Sequence, residues 1–133
     1  MSGEHPVEFS VPRNGMGDVG EVIRFDVVAH RSDAVVVHVI GEVDTLTAPV
    51  LKARLDEHLA STRLVVLDLT EVSFLGSAGL AVMVAAQDRA QSLGHTLRVV
   101  CGSRIVTRAL EATGLLTVFN ISEGVPEALA AQP

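Results

Sequence analysis

The amino-acid sequence predicts a single α/β domain with a mixed central β-sheet of about five strands and about four helices. Its 133 residues are enough for one domain with a proper core. Hydrophobic residues make up 48% of the chain but aromatic residues only 3%, so the core must be aliphatic, which suits a sheet covered by helices. Along the chain, β-branched apolar runs also alternate with segments of helical period.

The folded part is expected to occupy residues 22–133. The preceding residues 1–21 are rich in Gly, Pro, Ser and Asn, a composition that predicts a flexible N-terminal segment. Two β-branched runs, VIRFDVVAH and AVVVHVIG, open the domain. Because only the turn-like triplet RSD separates them, they predict an antiparallel hairpin.

The segment LTAPVLKARLDEHLA changes to a helical period. Leu51, Leu55 and Leu59 recur every four residues and predict one buried stripe. We expect Thr47 to cap this helix through its hydroxyl, with Pro49 in the first turn, where a missing N–H costs little.

A second strand and helix follow. RLVVLDLT is typical of a strand buried on both faces, and after a six-residue link a helix is predicted from Ser77 to about Leu93. If Ser77 is the N-cap of this helix, its hydroxyl can accept a hydrogen bond from a free amide of the first turn. Most of the polar residues in the helix lie in its second half, so its first two turns are expected to be largely enclosed.

The remaining elements are shorter. TLRVVC predicts a strand, and RIVTRALEAT predicts a helix that Ser103 caps and that Gly114 ends by adopting positive φ. LTVFN predicts a last short strand, and SEGVPEALAA predicts a helical tail with Pro126 in its first turn. In this order, helical crossovers join the parallel strands.

Charge and composition exclude several classes of function. A net charge of −6 argues against binding to nucleic acid or to an anionic membrane surface. No stretch approaches the ~20 apolar residues of a membrane span, and the N-terminus does not resemble a signal peptide, so we expect a cytoplasmic protein. The single cysteine, Cys101, excludes an internal disulfide and is expected to be a buried thiol.

Motifs of enzyme chemistry are incomplete. GMGDVG, residues 15–20, matches G-x-G-x-x-G but lacks the strand before it and the helix after it that a dinucleotide site needs. Ser77 lies in FLGSAGLAVM, residues 74–83, where a nucleophile elbow would need glycine in place of Leu75. The histidines show no spacing that links them to Ser77, and we expect His38 to be hydrogen-bonded or to face solvent. We therefore predict no enzymatic activity, no cofactor and no metal site.

Ser77 keeps two interpretations at this point: a plain helix cap, or a site of modification. Small residues at 76, 78 and 79 would let another chain's backbone approach closely. A phosphate would also be tolerated there, because the free amides and the dipole of a helix N-terminus favour negative charge by roughly 0.3–1 kcal/mol.

GEVDTLTA (residues 41–48) followed by VVLDLTEVSFLGSAGLAVM (residues 65–83) resembles the bacterial STAS-domain proteins called anti-sigma factor antagonists. The resemblance covers about residues 22–130 and implies a single STAS-like domain. It also implies a regulator of transcription that binds an anti-sigma factor, often an ATP-dependent serine kinase, and so frees a sigma factor. The kinase would inactivate the antagonist by phosphorylating a serine, and a serine phosphatase would restore it.

Carried over to this chain, the resemblance implies that Ser77 is the phosphorylated residue; Thr70 and Ser73 are weaker candidates. It also implies a set of residues that meet the partner or shape the contact: Glu42, Asp44, Thr45, Gly76, Ser77, Ala78 and Gly79. Gly76 departs from the family, which commonly has Asp before the serine, and Ala78 stands where many members have Ser or Thr. An alternative function is a STAS scaffold subunit of another complex that binds its partners without phosphorylation.

Overall fold

The computed structural model describes residues 7–10 and 23–130. These residues form six strands and four helices. In chain order they are β1 (Val7–Ser10), β2 (Ile23–Arg31), β3 (Ala34–Val43), α1 (Ala48–Ser61), β4 (Leu64–Leu75), α2 (Ser77–Leu93), β5 (Thr96–Val100), α3 (Arg104–Ala112), β6 (Asn120–Ser122) and α4 (Val125–Ala130).

The strands form one mixed sheet whose spatial order follows the chain, from β1 at one edge to β6 at the other. The pairs β1–β2 and β2–β3 are antiparallel, whereas β3–β4, β4–β5 and β5–β6 are parallel. This confirms the predicted α/β class, the mixed sheet and the β2–β3 hairpin. Because β3 and β4 are parallel, they end at the same edge of the sheet, where their last residues Val43 and Leu75 pair.

The main core lies between one face of the sheet and the helices α1, α2 and α3. It is almost wholly aliphatic, as predicted, and the expected stripe on α1 is fully buried there: Leu51, Leu55 and Leu59. Strand residues alternate between the two faces. The opposite face carries a smaller cluster in which Ala128 of α4 packs with apolar residues of β3, β4 and β5.

Three elements differ from the sequence-based expectations. β1 falls within residues 1–21, and at Val7–Ser10 the chain is paired with β2 instead of forming a free lead-in. β4 does not end near Thr70 but continues to Leu75, since residues 71–75 keep pairing with β3 across two register shifts. The last strand covers residues 120–122 rather than 116–120, because the chain turns first, with the amide of Val118 bonded to a carbonyl oxygen three residues back. The GMGDVG motif lies outside the described residues.

The predicted ends of α3 are confirmed, and so is the buried cysteine. The Ser103 side chain accepts a hydrogen bond from the Val106 amide at 3.4 Å, and Gly114 has φ of 73° after the helix. Cys101 is buried, and burial raises the pKa of its thiol, while a hydrogen bond with Thr107 lowers it by less. A thiol in this position is a poor nucleophile at neutral pH.

His58 on α1 should make the domain less stable in mild acid. Burial lowers the pKa of His58 below its ordinary value of 6.5, which is also the value expected in the unfolded chain. The folded state therefore binds this proton more weakly than the unfolded state. The free energy of unfolding should fall as the pH drops from about 6.5 towards the folded-state pKa.

Chemical denaturation at pH 7.5, 6.5 and 5.5 would measure this effect. His58→Leu removes the titrating group and should lose less stability on acidification than wild type. His30→Gln, at an exposed position, should follow the wild type. If wild type and His58→Leu lost the same free energy of unfolding on acidification, the assignment of this effect to His58 would be contradicted.

Candidate functional site at the ends of β3 and β4

Ser77 lies at a junction that ties two strand ends to the start of a helix. The Gly76 amide donates a hydrogen bond to the carbonyl oxygen of Val43 at 2.9 Å, so the end of β4 is fixed to the end of β3. Ser77 is the first residue of α2, and its side chain is exposed. Its hydroxyl makes no hydrogen bond to any other residue in the described part of the chain.

Of the two interpretations left open for Ser77, the structure does not support the plain helix cap. The N-cap is Gly76, whose backbone is extended (φ −94°, ψ −178°), and Ser77 already belongs to the first turn. Gly76 has no side chain with which to cap, and the first turn carries no acidic residue. The free amides and the positive end of the helix dipole are therefore not neutralised by this helix's own first-turn side chains, which favours an anion beside Ser77.

At Gly79 the side-chain position faces the protein interior and not a partner. A Cβ added there would lie 2.5 Å from Val43 Cγ1 and 2.8 Å from Leu75 Cδ1. The glycine thus allows the first turn of α2 to pack directly against the ends of β3 and β4. The next residue, Leu80, is also buried in the main core.

Asp44 holds the turn that connects β3 to α1. Its Oδ1 accepts hydrogen bonds from the amides of Leu46 at 2.9 Å and Thr47 at 3.0 Å. The buried Thr47 hydroxyl accepts from the Asp44 amide and donates to the carbonyl oxygen of Glu42, each at 2.9 Å. The prediction that Thr47 caps α1 through its hydroxyl is wrong, because that hydroxyl points back into the turn and makes no cap bond.

The other predicted residues lie on the surface around this junction. Glu42 and Thr45 are exposed, and Ala78 is half-buried beside Ser77. The hydroxyls of the weaker phosphorylation candidates are both engaged. Ser73 Oγ donates to the Gly41 carbonyl oxygen at 3.3 Å, and Thr70 Oγ1 donates to Asp68 Oδ1 at 2.6 Å.

Sequence reasoning missed two exposed apolar residues at this edge, Leu46 and Phe74, which are 67% and 49% exposed. Leu46 could have been found, since it precedes α1 and lies off the every-fourth-residue stripe of that helix. Phe74 gave no such signal, because its exposure follows from the register shift between β3 and β4. A Cβ added at Gly76 would lie 3.0 Å from Phe74 Cε2, so the missing side chain leaves room for this ring.

His38 belongs to a separate polar group on the sheet. Its Nδ1 lies 2.7 Å from Asp68 Oδ2, and the other oxygen of Asp68 accepts from the amide and hydroxyl of Thr70. The predicted hydrogen-bonded histidine is confirmed. Among the residues described, no group of three His, Cys, Asp or Glu side chains could hold a metal ion, and no described helix is long and apolar enough to span a membrane.

Comparison with known proteins connects this chain to a family. The family model of the STAS domain matches residues 26–128. An anti-sigma-B factor antagonist of Listeria monocytogenes is 32% identical over 100 residues, which cover 74% of this chain and 88% of that protein. The anti-sigma-F factor antagonist RsfB of Mycobacterium tuberculosis is 30% identical over 105 residues, 77% of this chain and 84% of that protein.

A solved structure agrees with these sequence matches. The crystal structure of an anti-sigma factor antagonist from Mycobacterium paratuberculosis superposes with a TM-score of 0.70 at 29% identity. The superposition covers 91% of this chain and 96% of that one.

Replacing Asp44 should destabilise the domain, because the amides of Leu46 and Thr47 would lose their acceptor. We expect Asp44→Ala to lower the free energy of unfolding by about 1–3 kcal/mol, the usual cost of leaving a buried amide without its acceptor. Thr45→Ala, one residue further along and exposed, should change it by less than about 0.5 kcal/mol. Urea denaturation would measure both, and equal stabilities would show that the Asp44 hydrogen bonds do not hold the turn.

Gly79→Ala should lower the free energy of unfolding by about 1–3 kcal/mol, because the added methyl group collides with Val43 and Leu75 in a packed interior. Ser77→Ala, two residues earlier and exposed, is the matched control and should change stability by less than about 0.5 kcal/mol. Thermal or urea unfolding of both variants would settle the comparison. A fully stable Gly79→Ala would mean that α2 packs more loosely than described.

Proposed function

This chain belongs to the STAS domain family, and we propose that it is an anti-sigma factor antagonist that binds its partner through the surface around Ser77. In this role it frees the sigma factor that the anti-sigma factor holds, and so acts on transcription in the cytoplasm. The relatives at 30–32% identity are named as antagonists of anti-sigma factors. The observation that carries the proposal is the exposed Ser77 hydroxyl at the start of α2, which no other described residue bonds.

Ser77 is also the proposed site of regulation by phosphorylation, and its surroundings support this choice. Its hydroxyl is open to a kinase, whereas those of Thr70 and Ser73 are already hydrogen-bonded. A phosphate adds about −1.5 to −2 charges, which the first turn of α2 can accept because its amides are free and it contains no acidic residue. Phosphorylation should therefore leave the domain folded.

The same phosphate would weaken binding to the partner. Ala78 next to Ser77 is small and half-buried, so another chain can approach Ser77 closely, and a bulky, strongly hydrated phosphate would occupy that space. The exposed Glu42 also makes the neighbourhood acidic. Each 1.4 kcal/mol lost by steric conflict or desolvation lowers the affinity tenfold, so a few kcal/mol are enough to switch binding off.

The kinase we propose is the anti-sigma factor itself, with a separate serine phosphatase restoring the hydroxyl. Gly76, where the family commonly has Asp, means that this kinase must act without a carboxylate directly before the serine. An aspartate could be introduced only if the Phe74 ring moved, since a Cβ at position 76 would lie 3.0 Å from it. That departure favours the alternative of a STAS scaffold that binds partners with no phosphoswitch.

Phosphorylation should require Ser77 alone. Incubation of the chain with each purified anti-sigma factor kinase of its organism and ATP should add one phosphate to wild type and to Ser73→Ala. Ser77→Ala should remain unmodified, because its site lacks the hydroxyl. Intact-mass spectrometry would measure the additions, and equal labelling of wild type and Ser77→Ala would place the modification elsewhere.

Ser77→Glu provides a second measurement in the same experiment. It should lower the affinity for the anti-sigma factor at least tenfold while changing the free energy of unfolding by no more than about 1 kcal/mol. A Ser77→Glu variant that binds as tightly as wild type would favour the scaffold alternative.

A further inference from the structure

Two apolar side chains that the fold leaves uncovered belong to the same edge of the sheet as Ser77. Leu46 is the most exposed of the large hydrophobic residues in the described part of the chain, and Phe74 is about half exposed. Exposed apolar residues are common when single, but two at one edge of a sheet beside a modifiable serine indicate a contact surface.

The backbone brings the two residues to the same place. Glu42 pairs with Phe74 and Val43 with Leu75 in the parallel ladder. Leu46 follows Val43 by three residues, and the Phe74 ring lies over the backbone of Gly76, directly before Ser77. The turn after β3 therefore presents Leu46, and the end of β4 presents Phe74, at the edge of the sheet where α2 begins.

The backbone of the exposed leucine is held in place. The turn that carries it is closed by the hydrogen bonds of Asp44 with the amides of Leu46 and Thr47, and the Thr47 side chain is buried. A side chain on a fixed backbone needs no ordering of the turn when it enters a partner's pocket, so it contributes more to affinity than one on a mobile loop.

The charges around the pair indicate the chemistry of the partner surface. Glu42 is exposed next to the end of β3, Glu71 is exposed four residues before the end of β4, and the chain as a whole has a net charge of −6. The surface beyond Ser77 is small and uncharged, with Ala81 and Ala85 exposed on α2 although the sequence predicted enclosed first turns. An apolar centre with an acidic rim fits a protein pocket that is apolar inside and basic at its border.

We infer that Leu46 and Phe74 are the anchors that insert into the anti-sigma factor, an inference that rests on the proposed function. The residues nearest to them have other roles: Asp44 holds the turn and Gly79 packs the helix. Phosphate on Ser77 then acts by placing a dianion beside the apolar anchors, which makes their burial in the partner unfavourable.

Binding of purified variants to each purified anti-sigma factor of the organism, measured by isothermal titration calorimetry, tests this inference. Leu46→Ala and Phe74→Ala should each weaken binding at least tenfold, as truncation of a buried anchor does. Ile105→Ala is the matched control, because Ile105 is similarly exposed, at 48%, but lies on α3, and this variant should bind like wild type. Urea unfolding of each variant checks that the fold is retained.

The outcomes separate the inference from the function. Binding by wild type, weakened by Ser77→Glu but unchanged in the Leu46 and Phe74 variants, overturns this inference and leaves the function standing. No binding of wild type to any anti-sigma factor overturns both. A wild-type dimer that Leu46→Ala dissociates, seen by analytical ultracentrifugation, would assign the surface to self-association and also overturn the inference.

Discussion

The parallel pairing of β3 with β4 is the interaction on which the rest of the structure depends. These are the central strands of the sheet, and their ladder continues beyond the point where β5 ends. The extension brings Val43 against Leu75, and the Gly76 amide then bonds to Val43. The turn before α1 and the start of α2 are thereby fixed to each other. An exposed serine becomes a defined site because its surroundings cannot shift independently.

The residues that the family resemblance singled out divide into two physical roles. Asp44 and Gly79 act inside the molecule: one supplies the acceptor that holds a turn, and the other makes room for a helix to pack. Glu42, Thr45 and Ser77 are exposed and can meet another protein. A motif in a sequence therefore marks a place in the fold, and only the structure separates the residues that build it from those that face outward.

Much of this architecture could be predicted because it depends on local patterns. The hairpin follows from two β-branched runs around RSD, and α1 follows from the leucines of its buried stripe. The features that the sequence did not predict depend on contacts between distant segments. The length of β4 is set by its partner β3, and the N-cap of α2 is Gly76, whose amide is bonded to the end of β3. The exposure of Phe74 follows from a register shift that no pattern in the strand announces.

The isolation of the Ser77 hydroxyl from all other described side chains has a consequence for protein turnover. Proteases in the cell act mainly on opened forms, whose population depends on the free energy of unfolding. A site that contributes no internal hydrogen bond can be modified without changing that population much. In the proposed switch, the modified and unmodified molecules would then have similar lifetimes. Their ratio would report the balance of kinase and phosphatase, with little distortion from selective degradation of either form.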